Sequence, residues 1–223
     1  MEQDGEAYSV NITSQCRKRT NLTAMQIEHL KRIEISLPFV ADLAHAYLYL
    51  YVQTKEPGKM LVLKHYRPHT FFSEVELTGE GAFVSTLEEP LIAAAFAKGK
   101  FIQGQREWRF GINLEMYVQP IKCGNDVIGV VSLETGHSYA NSSNYHQLMD
   151  TALYLLDYAK KPLDKDEFHP MSPGTGIIIA DSNNRIVFAN LSANRIYRAL
   201  GIASLVGCRM QDRELSAMLH KET

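Results

Sequence analysis

The apolar positions change period along the chain, and each change marks an element. Thr23 is a helix N-cap followed by Met25, Ile27, Leu30 and Ile33, and Gln26 sits three residues on, as in a capping box. Pro38 ends or kinks that helix, and Ser36 with Pro38 starts a second short one carrying Phe39, Val40 and Leu43. The period then drops to two. Ala46–Gln53 (AYLYLYVQ) and Met60–Arg67 (MLVLKHYR) read as strands joined by a Pro57-Gly58 turn. Pro68–Glu89 is less regular. Pro90–Lys98 (PLIAAAFAK) has proline in its first turn and Gly99 just past its end, which predicts a helix. Phe101–Gln103 is a brief strand, and Gln105–Asn113 reads as a loop holding Trp108. Leu114–Lys122 and Val127–Glu134 form a second hairpin about Cys123–Asp126, with Pro120 near a strand end or bulge. Asn141–Lys160 is an amphipathic helix with Tyr145, Leu148, Ala152 and Leu156 on one face.

Lys160–Gly176 holds Pro162, Pro170 and Pro173 and a run of charges, and reads as a linker. Beyond it come strands at Gly176–Asp181 and Arg185–Asn190, a helix at Ser192–Leu200, and a helical stretch at Gln211–Lys221. At the other end, residues 1–22 carry few apolar positions and read as a flexible tail. The division is therefore a tail (1–22), a first domain (23–160), a linker (161–175) and a shorter second unit (176–223). Adjacent strands with tight turns, bracketed by helices, predict an α+β fold with an antiparallel sheet.

Charge and cysteines narrow the setting. With 23 Lys+Arg against 25 Asp+Glu the formal net charge is −2, which argues against direct nucleic-acid binding. No apolar run approaches the roughly 18 residues of a membrane span, and the polar N-terminus has no secretory apolar core. Three widely spaced cysteines, Cys16, Cys123 and Cys208, form no disulfide framework, which fits a reducing cytoplasm.

Catalytic motifs are missing. There is no Walker A sequence, GxGxxG, HExxH or GxSxG, and no Cys/His pair has zinc spacing. His65 and His69 are four apart but lie in and after a strand. Glu74, Glu76, Glu80, Glu88 and Glu89 read as a solvated loop, and Glu115 and Glu134 are treated alike. Neither haem nor flavin has a specific signal, so no cofactor is evident. One set does suggest a site: Tyr49, Tyr51, Arg67, Trp108, Arg109 and Tyr117. Tyr49 and Tyr51 share a strand face. If Phe71–Arg109 folds back over it, aromatic walls and a guanidinium would enclose a small anionic or planar ligand. Otherwise the tyrosines fill core and the arginines face solvent.

Several segments are familiar together: PFVADLAHAYLYLYV (Pro38–Val52), HYRPHT (His65–Thr70), EPLIAAAFAKGKFIQGQREW (Glu89–Trp108) and VQPIKCGNDVIGVVSLETG (Val118–Gly136). Leu30–Gly136 resembles the GAF-like N-terminal sensor domain of a family of cytoplasmic bacterial histidine kinases. GIIIADSNNRIVFANLSANRIYRALG (Gly176–Gly201) and ASLVGCRM (Ala203–Met210) resemble the opening of a PAS domain. The resemblance implies the sensory input region of a two-component kinase, one that binds a small molecule or relays a signal. ATP would be used only by a kinase core, to autophosphorylate a histidine. A cognate response regulator, often an RNA-binding antiterminator, would receive the phosphoryl group. Helices 24–43 and 141–160 would pack on the sheet, on each other or on a second copy, giving a homodimer.

The 48 residues after the linker make only part of a PAS sheet, and no phosphoacceptor helix or ATP-binding motif is present. The expectation is a sensory portion without its kinase core. The alternative is a GAF/PAS regulatory module of a transcriptional regulator or a cyclic-dinucleotide enzyme.

Overall fold

In the computed structural model, residues 11–68, 78–109, 111–136, 145–158 and 175–210 are described. The first unit, Met1–Pro162, is built on a six-stranded antiparallel sheet in the order β3-β2-β1-β6-β5-β4. Its strands are β1 (Tyr47–Gln53), β2 (Lys59–Tyr66), β3 (Phe83–Ser85), β4 (Ile102–Arg109), β5 (Ile112–Cys123) and β6 (Asp126–Gly136). Its helices are α1 (Ile12–Arg19), α2 (Ala24–Glu34), α3 (Leu37–Ala44), α4 (Pro90–Lys98) and α5 (Tyr145–Tyr158). The α2 capping box is present as expected, with Thr23 and Gln26 bonding each other's backbone N–H.

β1 shows why both sheet faces are covered. All of Tyr47–Val52 is buried, so neither side of the strand meets water. Tyr47, Tyr49 and Tyr51 point to one face, where they pack with Met60, Val62, Met116, Val118 and Val130 under Ile92, Ala95 and Phe96 of α4. Leu48, Leu50 and Val52 point to the other face by the period-two rule. There α2 contacts β6, and α3 contacts β1, β2 and α5. Gly129 permits this approach. A Cβ there would come within 3.1 Å of Leu30 and 3.2 Å of the Tyr51 carbonyl oxygen.

The β1–β2 register contains an irregularity between Leu50 and Tyr51. Tyr51 pairs with Val62, but Leu50 pairs with Lys64 and Tyr49 with His65. The extra β2 residue turns Lys64 to the helix face and His65 to the tyrosine face, as a bulge does. Lys64, only 4% exposed, lies between Glu34 at the end of α2 (3.4 Å) and Glu80 in the turn before β3 (3.1 Å).

Two expectations are corrected. Residues 12–19, read as tail, form α1. Asn11 caps it, and Ile12 and Cys16, one turn apart, are its buried side chains. Arg19 donates to the Gly81 carbonyl and lies over the Phe83 ring, and the Lys55 N–H donates to the Arg19 carbonyl. The polar composition hid a one-sided helix. The 105–113 loop is likewise mostly strand. β4 runs to Arg109 because alternate positions from Gln103 to Glu107 are exposed, as on a sheet edge. Pro120 falls beside a bulge, as expected: the β5–β6 register shifts between Ile121 and Lys122. β4 pairs no further than Val118, so at Pro120 only β6 is a neighbour, and the missing N–H is tolerated.

Burial raises the Cys16 thiol to about 11, whereas Cys123 and Cys208 are partly exposed. With a thiol reagent in mildly alkaline buffer, two of the three cysteines are expected to react quickly. The third should react only on unfolding. Rapid titration of all three would contradict the packing of α1.

The second unit, Leu163–Thr223, contains β7 (Ile178–Ala180) and β8 (Ile186–Ala189), antiparallel, then α6 (Leu191–Ala199). Asn190 caps α6 through Ala193 and accepts from the Ile177 N–H, which joins helix and strand. Ile186, Ala193 and Leu205 form its small core. Of the expected linker at 161–175, all but Thr175 lies outside the described residues, as does the expected helix at 211–221.

Candidate functional site

The tyrosine face of the sheet carries a buried ionic cluster. Glu89 is the residue before α4, where Pro90 opens the helix. Arg106 lies on β4, opposite Leu114 of β5, and Glu134 lies on β6 between Tyr47 of β1 and Met116 of β5. The Arg106 guanidinium forks. Nη1 donates to Glu89 and Nη2 to Glu134. Ser132 donates its hydroxyl to the other Glu134 oxygen at 3.0 Å. One arginine thus ties the start of α4, an edge strand and a central strand together. The forked geometry is one that arginine supplies and lysine does not.

Gly104, two residues before Arg106, faces α4. A Cβ there would come 2.8 Å from Leu91 Cδ1, so α4 sits directly on β4. Beside the cluster, the Tyr49 and Tyr51 rings are 5.9 Å apart and the Tyr49 and His65 rings 6.3 Å. The backbone of Thr78 hydrogen-bonds the Tyr49 hydroxyl.

Burial dominates the titration of these groups. It raises Glu134, which is 1% exposed, to about 7 against the opposing pull of Arg106. It raises Glu89 too, again opposed by Arg106. Burial works against the Arg106 charge, but Glu134 and Glu89 outweigh it and hold the guanidinium above its ordinary value. Tyr49 and Tyr51 are pushed up by burial and then by Glu134. His65 is lowered by burial, with Glu80 opposing.

The structure brings together only part of the expected set. Tyr49 and Tyr51 share the α4 face as the period predicts. Tyr117 does not join them. It pairs with Leu133 on the opposite face, and its neighbour there is Tyr145 of α5. Strand register decides this, and register is not written in a single strand. Arg67 is exposed just past β2, and Arg109 ends β4. Trp108 is in β4, and the side chains of Trp108 and Arg109 lie outside the described residues. Arg106, Glu89 and Glu134 were missed. The available signal was alternation: Val130, Ser132 and Glu134 share a face, as do Gly104 and Arg106. Among the described residues, no group of three or more His, Cys, Asp or Glu could hold a metal ion, and no helix is long and apolar enough to cross a membrane.

Residues 12–152 match the family described as "Histidine kinase PdtaS, GAF domain". The chain belongs to this family. A sensory input role in a histidine kinase follows, carried by a curled antiparallel sheet with helices on both sides. In structure, the chain is similar to a protein described as "Sensor region of a sensor histidine kinase". The TM-score is 0.57 at 20% identity, over 90% of this chain and 73% of that one. It is also similar to the GAF domain from Acinetobacter phosphoenolpyruvate-protein phosphotransferase, with TM-score 0.37, 14% identity, and 62% and 94% coverage. At 20% identity the first of these likenesses speaks to fold alone. No curated protein sequence matches significantly. In this GAF domain, the ionic cluster sits on the sheet face that α4 covers, and α2 and α3 pack on the other.

Proposed function

We propose that the GAF domain receives its signal on the α4 face of the sheet, at Glu89–Arg106–Glu134 and the Tyr49–Tyr51 pair. The observation that carries this reading is the forked Arg106, which joins three elements through one half-buried group. A signal that changes its pairing changes how α4 and β4 are held on the sheet. With two carboxylates against one guanidinium, the face favours a ligand bringing hydrogen-bond donors or a planar ring over a simple anion. Of the anionic and planar classes anticipated, the anionic is therefore the less favoured.

Output would run through the helices on the far face. Lys64 links β2 to Glu34 at the end of α2, and Gly129 seats α2 on β6. Met25 and Ile35, at the two ends of α2, and Tyr154 on α5 are exposed apolar positions that suit a homodimer contact. The second unit would be the start of a PAS domain that passes the signal on. The kinase core would use ATP, and a response regulator, of the RNA-binding antiterminator type, would accept the phosphoryl group in the cytoplasm. A ligand moves such an output only by its differential affinity for two arrangements. Coupling of about 1–3 kcal/mol is typical.

Thermal shift against a panel of metabolites and nucleotides tests the site, with wild type compared with Arg106→Lys. At least one compound should stabilise the wild type, and the lysine variant should respond less. Equal responses would move the site away from the α4 face, and no response from the wild type would end the small-molecule reading.

A further inference from the structure

The α4 face holds more negative than positive charge. β4 contributes Arg106, β6 contributes Glu134, and the α4 N-cap contributes Glu89 with Glu88 beside it in sequence. β1 adds the phenols of Tyr47, Tyr49 and Tyr51, and β2 adds His65, whose positive form burial disfavours. β5 contributes the apolar Met116 and Val118. The groups around the pair of carboxylates therefore bring one full cation. A packed site with this imbalance can be neutralised without rearrangement by a particle that needs no cavity.

We propose that Glu134 binds and releases a proton in the folded domain, and that its charge state decides whether Arg106 is shared between β6 and α4 or held by Glu89 alone. The proton comes from solvent water and returns to it, and only the carboxyl O–H bond forms or breaks. A route exists in the graded exposure of the cluster, 28% at Arg106, 12% at Glu89 and 1% at Glu134. Burial places the Glu134 titration at about 7, against an ordinary carboxyl value of 4.5. Below that point Glu134 is neutral, and Arg106 pairs fully with Glu89, which fastens the start of α4 to β4. Above it the guanidinium is divided, and α4 is held less firmly. The sign agrees with linkage. A carboxyl raised on folding contributes stability that is complete below its unfolded pKa and lost as pH rises through the folded one.

Use of this switch as an input rests on the α4-face reading, but its operation does not. The test is a carbon-detected NMR titration of the side-chain carboxyls, with amide exchange of α4 measured over the same range and corrected for its intrinsic pH dependence. The Glu134 signal, assigned with Glu134→Gln, should titrate near 7. Exchange in residues 90–98 should speed up by about fivefold or more across the same midpoint. Glu134→Gln should abolish the pH response of α4. Glu89→Gln should keep the titration and uncouple α4 from it. A Glu134 that titrates with the surface glutamates overturns the proposal and leaves the ligand reading standing. Flat α4 exchange through a shifted titration overturns it equally. If Glu134→Gln does not fold, the wild-type titration and Glu89→Gln decide.

Discussion

Replacing Arg106 with alanine is expected to lower the unfolding free energy by about 3–5 kcal/mol in alkaline buffer, and by less at neutral pH and in acid. The size follows from what remains. Glu134 is 1% exposed and Glu89 is largely buried, and the substitution leaves both without their shared cation. The pH dependence follows from how each group is held. Burial pushes Glu134 up and Arg106 pulls it down, so removing the arginine raises its pKa further. At neutral pH and below the carboxyl then holds a proton and avoids an isolated buried charge, which mutes the loss. Arg106→Lys should recover only part of the stability, because one ammonium cannot fork to two carboxylates as the guanidinium does. Urea unfolding at two pH values measures this, with a shifted midpoint and an unchanged slope. A loss under about 1 kcal/mol at both values would place the cluster in solvent, as for a surface pair.

The same cluster marks how far sequence reasoning reaches. β1, β2, β5 and β6 are legible because their apolar residues alternate or run together and their turns carry Pro57-Gly58 or Cys123–Asp126. α4 is legible from Pro90 and Gly99, and the left-handed backbone at Gly99 (φ 58°) shows why glycine stands there. Beyond Gln103, β4 was not legible, because an edge strand can be polar at every second position without losing its hydrogen bonds. Losing β4 hid Arg106, since a residue placed in a loop has no face. Glu89 and Glu134 were hidden for a different reason. An acidic side chain reads as solvated until a partner is known, and theirs comes from a strand 17 or 28 residues away.

Tyr117 shows a limit of another kind. Its strand was recognised and its aromatic character was correct, yet it faces α5 and not α4. Period two tells which residues share a face within one strand. It does not tell which face of one strand matches which face of the next. That relation depends on pairing: Met116 opposite Glu134, and Tyr117 opposite Leu133. The irregular β1–β2 register has a similar effect, because one extra residue reverses the faces of Lys64 and His65. α1 was lost to composition. Two buried residues one turn apart are enough to fasten an eight-residue helix when Asn11 caps it and Arg19 and Lys55 tie its end to the sheet.

Lys64→Ala is expected to be as damaging as the loss of Arg106, about 3–5 kcal/mol, through the opposite face of the sheet. Met60 and Val62 lie on the tyrosine face, and without the bulge Lys64 would follow them. The register shift sends it towards α2, where its ammonium meets Glu34 and Glu80. Glu34 is the last residue of α2, the negative end of the helix dipole, so a carboxylate there depends on a nearby cation. Tyr66 adds to the dependence, because its hydroxyl donates to Glu34. Alanine would leave two carboxylates facing a buried gap and would loosen both α2 and the turn that carries Glu80. Replacing the whole triad, Lys64→Met with Glu34→Gln and Glu80→Gln, should recover most of the loss, since buried ion pairs often exchange for apolar groups at little net change. Chemical unfolding of the single and triple variants compares the two directly. If Lys64→Met alone recovers as much as the triple variant, the alanine effect is a packing loss, and the electrostatic role assigned to Lys64 fails. If only the triple variant recovers, the join between α2 and β2 depends on charge balance, and the bulge in β2 is the feature that places the balancing cation.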